Sequence, residues 1–188
     1  MKAYFRPITI LIVALTLATA CDSDDINTRY ARHRAYFRYD KVMTAPKLHG
    51  ALTSPGTFCA IYTGGNYLYF QDHTKTAPNQ DNLTAQAYYQ SYITIAGFIV
   101  GLSNQPDMST GAMQYLAYDR VCRNCYEEQS ISKPLTLLEN GRAKCERCKR
   151  VYNLNNQGIP EQGEKGQKLY EYRGVTYNGN NTVEIRNP

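Results

Sequence analysis

Four of the six cysteines form two Cys-x-x-Cys pairs, Cys122/Cys125 and Cys145/Cys148, with nineteen residues between the pairs. Each pair can turn two thiols toward one point, so two facing pairs can surround one ion with four sulfurs. That is the closed tetrahedral arrangement of structural zinc. Mononuclear iron or a [2Fe–2S] cluster uses the same ligands. The spacing therefore predicts a metal site, with zinc as the first expectation and the two iron centres as alternatives.

Two other uses of these four cysteines stay open at this point. Structural disulfides are the main alternative, because the chain carries an export signal and disulfides persist outside the cytoplasm. A redox-active Cys-x-x-Cys is the other, and it needs a lowered thiol pKa, typically at a helix N-terminus. The sequence predicts no helix start after Cys125 or Cys148.

A hairpin is expected to position the second cysteine pair. Asn140-Gly141 lies between two extended runs, and Asn-Gly favours a type I′ turn because both central residues need positive φ. Such a turn places Glu139 opposite Arg142 and Thr136 opposite Cys145. The second pair would then emerge from a rigid hairpin.

Basic residues crowd both pairs. Cations near a thiol favour the thiolate and so favour metal binding at neutral pH, whereas an ordinary solvated face would have no such role. Both interpretations stay open for Arg120, Arg123, Lys144, Arg147, Lys149 and Arg150.

The N-terminus has the features of an export signal over residues 1–20. A basic start and a short apolar run lead to Ala18-Thr19-Ala20, directly before Cys21. This order resembles the lipobox of bacterial lipoproteins, which implies cleavage before Cys21 and a lipid anchor on that residue. The acidic residues that follow, Asp22 to Asp25, resemble the export signal of some surface lipoproteins. We therefore expect a bacterial envelope protein held in the outer membrane, with its surface exposure as a further expectation.

The remaining sequence favours one all-β domain at residues 51–188, after a tether and linker at residues 21–50 that ends in an edge strand. Seventeen tyrosines, no tryptophan and many Gly/Asn turns suit this fold class. Strands are expected at 57–62, 67–70, 97–102, 113–121, 151–154, 169–177 and, as an edge, 182–186. Loops are expected at 72–82, 103–111 and 160–166, and residues 85–95 are ambiguous between strand and a helical turn.

Three further expectations concern single residues and partners. Cys59 is predicted to be a buried free thiol, and His33, His49 and His73 to be surface residues. The net charge of +5 does not by itself imply a polyanionic partner. We expect no nucleic-acid partner for an envelope protein, and the protein partner is not indicated.

Residues 97–185 resemble the Rieske iron–sulfur domain. The resemblance rests on the strand before Cys122, the hairpin before Cys145, and the run Arg150-Val151-Tyr152-Asn153. It implies an antiparallel β-sandwich or barrel with an inserted two-knuckle metal-binding subdomain at about 120–154.

The resemblance has departures at the ligands themselves. Cys125 and Cys148 stand where that family has histidines, and Lys149 stands where it usually has glycine. Rieske histidines raise the cluster potential, so the resemblance supports the fold more than the redox function.

No nucleophile–base pair or pair of catalytic carboxylates has a recognisable setting in this sequence. A closed four-thiolate zinc site also has no open coordination position for catalysis. We therefore expect a non-catalytic, membrane-anchored binding or structural module. The alternative is an electron-transfer protein that carries a Rieske-like [2Fe–2S] or rubredoxin-like iron centre.

Overall fold

The structure is a computed structural model that describes residues 30–83, 94–179 and 181–188. These residues form thirteen β-strands and two short α-helices, and every pairing between the strands is antiparallel. The predicted all-β class is confirmed. The described residues contain no helix that is both long and apolar enough to span a bilayer.

The largest sheet has six strands. Their spatial order is β11 (Glu171–Tyr172), β6 (Met113–Asp119), β5 (Phe98–Pro106), β2 (Phe58–Gly64), β3 (Tyr67–Gln71) and β4 (Asn79–Asn82). The predicted hairpin of β2 and β3 and the predicted central strand β5 are confirmed.

Two smaller sheets complete the fold. One has the order β1 (Ala35–Tyr39), β13 (Val183–Asn187) and β12 (Gly174–Tyr177). The other has the order β10 (Ile159–Gln162), β9 (Val151–Asn153), β8 (Arg142–Lys144) and β7 (Thr136–Leu138). The helices are α1 (Pro46–Thr53) and α2 (Arg123–Gln129), and a 3-10 turn covers Val42–Thr44.

The six-stranded sheet is buried on both faces, because successive side chains of a strand point to opposite sides. In β5, Phe98 and Val100 join one apolar cluster, whereas Ile99 between them joins the other. The first cluster also contains buried residues of β1, α1 and β13. The second contains Cys122, Cys125 and Cys145. Three of the four predicted metal ligands therefore lie inside one of the two cores, and Cys148 packs against it.

The predicted tether differs from the structure over residues 35–50. Phe37 and Tyr39 of β1 and Leu48 of α1 are buried in the first cluster, so this stretch belongs to the folded domain. The basic residues made this stretch look like a solvated linker. In the structure Arg34 is exposed and Arg38 is half-buried, while their neighbours point into the core. In β1, every second side chain is buried, as expected of a strand with one face in the core.

Other element predictions are also corrected. Residues 79–82 and 159–162 form strands β4 and β10 rather than loop, and β5 continues to Pro106 rather than ending at 102. The expected strand at 169–177 divides into β11 and β12, which belong to different sheets. The C-terminal strand β13 is central rather than an edge, because β1 and β12 pair with its two sides.

The hairpin at Asn140-Gly141 forms with a register one residue away from the prediction. Asn140 and Gly141 both have positive φ, 59° and 64°, as predicted. Leu138 pairs with Arg142, however, and Leu137 with Ala143, so Glu139 is part of the turn. This register puts the buried side chains of Leu137 and Ala143 on one face, whereas the predicted one would have set Leu137 against Lys144.

Candidate metal centre

The four predicted ligand sulfurs meet at one point. All four Sγ atoms lie within 4.8 Å of one another. Two of these separations join different pairs, with 3.6 Å between Cys122 and Cys148 and 3.7 Å between Cys125 and Cys145. Zinc–sulfur bonds of about 2.3 Å give a tetrahedron with edges of about 3.8 Å. The cluster therefore has the size that one tetrahedral ion requires, and it can bind a metal.

The first cysteine pair is positioned by the start of α2. Cys122 is the residue directly before the helix, and its carbonyl accepts a 3.0 Å hydrogen bond from the backbone N–H of Tyr126. Cys125 lies in the first helical turn, so both sulfurs project from the same end of α2. The backbone N–H of Cys122 also donates to the carbonyl of Lys133, at 2.8 Å. These bonds anchor the first knuckle independently of any ligand.

The second pair follows the β7–β8 hairpin and closes as a tight turn. The Cys145 carbonyl accepts a 2.9 Å hydrogen bond from the Lys149 N–H, and the Cys145 N–H donates to the Arg150 carbonyl at 3.0 Å. Lys149 has a φ of 61°, a left-handed conformation that glycine adopts without strain. The position that the Rieske resemblance marks as usually glycine thus has a glycine-like backbone here, occupied by lysine.

Burial makes this a closed site. Cys122, Cys125 and Cys145 are buried and Cys148 is partly exposed. The surrounding apolar cluster includes Leu135, Leu137, Ala143, Tyr152 and Leu154. A buried, all-protein donor set of four sulfurs is typical of structural rather than catalytic zinc.

Tyr152 and Asn124 support the sulfur of Cys122. The Tyr152 hydroxyl lies 3.2 Å from that sulfur and accepts a 2.9 Å hydrogen bond from the Asn124 side-chain amide. A hydroxyl oxygen that accepts from Asn124 keeps its own proton free to donate to the sulfur of Cys122. Asn124 is itself fixed by two bonds to the backbone of Gln167, each 2.8 Å.

The basic residues divide into a buried group and an exposed group. Arg150 is buried and donates to the carbonyls of Glu164 and Lys165, at 3.1 and 3.2 Å. Arg123 is also buried. By contrast, Lys149 and Arg147 are exposed, and they contact Glu146 and Gln129.

Thiol pKa values show what a metal would have to supply. Burial raises the pKa of Cys122 to about 11, against a lowering by Tyr152, and burial also raises the pKa of Cys125. Burial would likewise raise the pKa of Cys148, but the Arg150 backbone N–H and the neighbouring cysteines hold it below its usual value. A divalent cation would supply the positive charge that stabilises all four thiolates together.

The structure changes the argument on the redox alternative. The sequence predicts no helix start after Cys125 or Cys148, but the structure has one directly after Cys122, where α2 begins. This helix was missed because polar, non-periodic residues form it and its ends carry no capping side chain. The thiol pKa values of Cys122 and Cys125 are nevertheless raised, and short sulfur–sulfur separations connect the two pairs. These features are unlike those of an exchange-active Cys-x-x-Cys.

Other single-residue predictions have mixed outcomes. Cys59 is a free, fully buried thiol, as predicted, and burial raises its pKa. His73 is exposed and His49 is half-buried. His33 is also half-buried, and its Nε2 lies 2.9 Å from the hydroxyl of Tyr172. Sequence reasoning missed this contact because the two residues are 139 positions apart.

Cys21 lies outside the described residues, as do the rest of residues 1–29 and residues 84–93, which include most of the ambiguous stretch. The lipid-anchor prediction therefore stays a prediction. Comparison with known proteins gives no match to a protein-family model, a curated protein or a solved structure.

Proposed function

We propose that this chain is a non-catalytic envelope lipoprotein whose Rieske-like β domain is held together at one end by a structural zinc ion. The observation that carries the proposal is the buried cluster of four sulfurs within 4.8 Å of one another. Zinc is the proposed occupant because the donor set is all-thiolate and closed, and because structural zinc contributes folding energy without needing an open position.

The size of the cluster argues for one ion rather than a [2Fe–2S] centre. A binuclear cluster binds two sulfurs on each iron, which separates the two pairs by more than one tetrahedral edge. In the Rieske-like arrangement, Cys125 and Cys148 would share the outer iron. Here each of them lies close to a cysteine of the other kind, Cys145 and Cys122 respectively. A single central ion holds all four sulfurs about one tetrahedral edge apart, and the four lie within 4.8 Å of one another here.

The proposed location rests on the sequence. A basic start, an apolar run and small residues before Cys21 support a lipid anchor, and the acidic residues after it support the outer membrane. The Rieske-like part of the proposal is supported by the order of its motifs and by the antiparallel sheets around the cysteine cluster. In this proposal the metal-binding unit stabilises the fold, and the proposal names no protein partner.

Absorption spectroscopy of the natively expressed protein, purified without oxygen, tests the identity of the metal. Zinc with four thiolates gives a colourless protein, whereas iron thiolate centres absorb visible light. A colourless protein that loses its metal to a chelator supports the proposal. A coloured protein with stoichiometric iron would instead establish the electron-transfer alternative.

A further inference from the structure

A cavity with a volume of about 640 Å³ lies beside, not on, the cysteine cluster. Its wall includes Arg123 and Tyr126, which belong to the first knuckle and to α2, and Tyr170 from the other side. Arg32 and His33, from the segment before β1, also line the cavity, as do Glu127 and Gln167. Ligand cavities commonly have volumes of 300–1,000 Å³, so this one can hold a small organic molecule.

The guanidinium of Arg123 is a buried cation with spare hydrogen-bonding capacity. Its side chain is 8% exposed, its Nε donates to Glu127 at 2.8 Å, and its terminal carbon lies 4.8 Å above the Tyr170 ring. Within residues 30–83, 94–179 and 181–188, no side-chain or backbone acceptor receives a hydrogen bond from its two terminal amino groups. A buried guanidinium left half-satisfied is costly, and a carboxylate matches its fork geometry.

The charges of the cavity indicate the charge of its ligand. Arg123 and Arg32 contribute two positive charges, and Glu127 contributes one negative charge. Glu127 is already engaged, because its Oε1 accepts hydrogen bonds from Arg123 and, at 2.7 Å, from the hydroxyl of Tyr170. The net formal charge of the cavity wall is therefore +1. One carboxylate with a single negative charge neutralises it, whereas a phosphate dianion would leave the occupied cavity with a net negative charge.

The other walls indicate the body of the ligand. Tyr30, Tyr126 and Tyr170 line the cavity together with Ile95. Tyrosine rings offer flat apolar faces with a polar edge, which suit a ring or a short aliphatic chain. From this geometry we propose that the cavity binds a small organic monocarboxylate, whose carboxylate group is held by Arg123 and whose body packs between the tyrosines.

The proposal does not depend on which metal the cysteine cluster holds, and it assigns no chemical reaction to the cavity. It goes beyond the structural role proposed above, because it gives the module a class of ligand. Arg123 lies between Cys122 and Cys125 in the sequence, so the first cysteine knuckle also fixes the position of Arg123.

Calorimetric titration of the purified full-length chain with benzoate, and with neutral benzamide of the same shape, tests the proposal. Benzoate should bind with a Kd of about 10 mM or tighter, as expected of so small a fragment, and benzamide at least about tenfold more weakly. Arg123→Gln should weaken benzoate binding about tenfold or more, because it removes charge-assisted hydrogen bonds. The matched control is Arg186→Gln, which removes the same charge from an exposed side chain of β13 and should leave binding unchanged.

Glu127→Gln provides a test of the opposite sign. Glutamine keeps an acceptor for Arg123 and Tyr170 but removes the competing negative charge, so benzoate binding should become several-fold tighter. This variant also covers the case in which Arg123→Gln unfolds. Equal affinities for benzoate and benzamide, no benzoate binding, or unchanged binding in both variants would overturn the proposal. Tighter binding of inorganic phosphate than of benzoate would overturn the assignment of a monocarboxylate.

Discussion

The hydroxyl of Tyr152 lies 3.2 Å from the sulfur of Cys122 and accepts a 2.9 Å hydrogen bond from Asn124, which leaves its own proton free for that sulfur. This donor partly offsets the burial that disfavours the thiolate, since it lowers the pKa of Cys122. Tyr152 therefore contacts one of the four candidate metal ligands, and hydrogen bonds of this kind orient and tune the ligands that they reach.

Tyr152→Phe should lower metal affinity about 10–100-fold, because such outer-shell bonds typically contribute that much. Competition with a chromogenic chelator measures the affinity. Tyr118→Phe is the matched control, because Tyr118 is equally buried and its hydroxyl donates to the Leu154 carbonyl at 2.7 Å. That control should cost about 1 kcal/mol of stability and leave metal affinity unchanged. Equal affinities in the two variants would show that Tyr152 only fills space.

Lys149→Gly should leave the stability unchanged or increase it by up to about 1 kcal/mol. Lys149 has a φ of 61°, which costs an L-residue about 1–2 kcal/mol, although glycine offsets part of this gain through backbone entropy. Its exposed ion pair with Glu146 contributes little. Chemical denaturation measures the change. Lys144→Gly, in strand β8, is the control and should destabilise; a clear loss of stability in Lys149→Gly would contradict the strain argument.

Asp119 should make an acid-sensitive contribution to stability. Its carboxylate is fully buried and accepts hydrogen bonds from Tyr172 at 2.6 Å and from the backbone N–H of Ile95 at 2.8 Å. Burial alone would raise the pKa of Asp119, but His33, Tyr172, Ile95 and Thr94 together hold it below its ordinary value. Asp119→Asn should therefore cost about 1.5–3 kcal/mol at neutral pH.

The sign of the pH dependence follows from the lowered pKa. The contribution is fully present above the unfolded-state pKa of about 4, and it is lost as the pH falls through the lower folded-state pKa. The stability gap between the wild type and Asp119→Asn should be constant above about pH 5 and should narrow below about pH 4. Denaturant titrations across this range measure it, with Asp40→Asn, at a more exposed site, as the control. A gap that widens in acid would contradict the assignment.

Cys21→Ala should release the protein from membranes or block its maturation. Each buried methylene of a lipid chain contributes about 0.8 kcal/mol to membrane binding, and several chains together anchor stably. Membrane fractionation with lipid labelling measures both effects, and Cys59→Ala provides a control at a buried cysteine of the core. Unchanged fractionation and labelling in Cys21→Ala would remove the lipoprotein proposal.

Much of the site could be predicted from sequence because its signals are local. Two Cys-x-x-Cys pairs specify their own ligands, and Asn140-Gly141 specifies its own turn. The register of that turn could not be predicted, because the tertiary burial of Leu137 and Ala143 sets it. Strands β2, β3 and β5 were predicted correctly for the same reason, because each is a local apolar run bounded by turn residues.

What the sequence did not reveal depends on distant partners. Asn124 and Gln167 meet across 43 residues, and His33 and Tyr172 across 139. The short strands β4 and β10 are polar because each has an exposed face, so neither carries an apolar pattern. Strand β13 looked like an edge for the opposite reason: its alternation is regular, but the neighbour on each side comes from a distant part of the chain.

The metal content of the natively purified chain tests the central claim most directly. Elemental analysis should give one zinc ion per chain in the wild type and close to none in Cys145→Ser, which leaves three thiolates and a poor fourth ligand. In that variant the loops at 122–125 and 145–148 should become sensitive to protease while the β core persists. A wild-type protein without metal, in which all four cysteines resist alkylation until they are reduced, would contradict the account and establish disulfides instead.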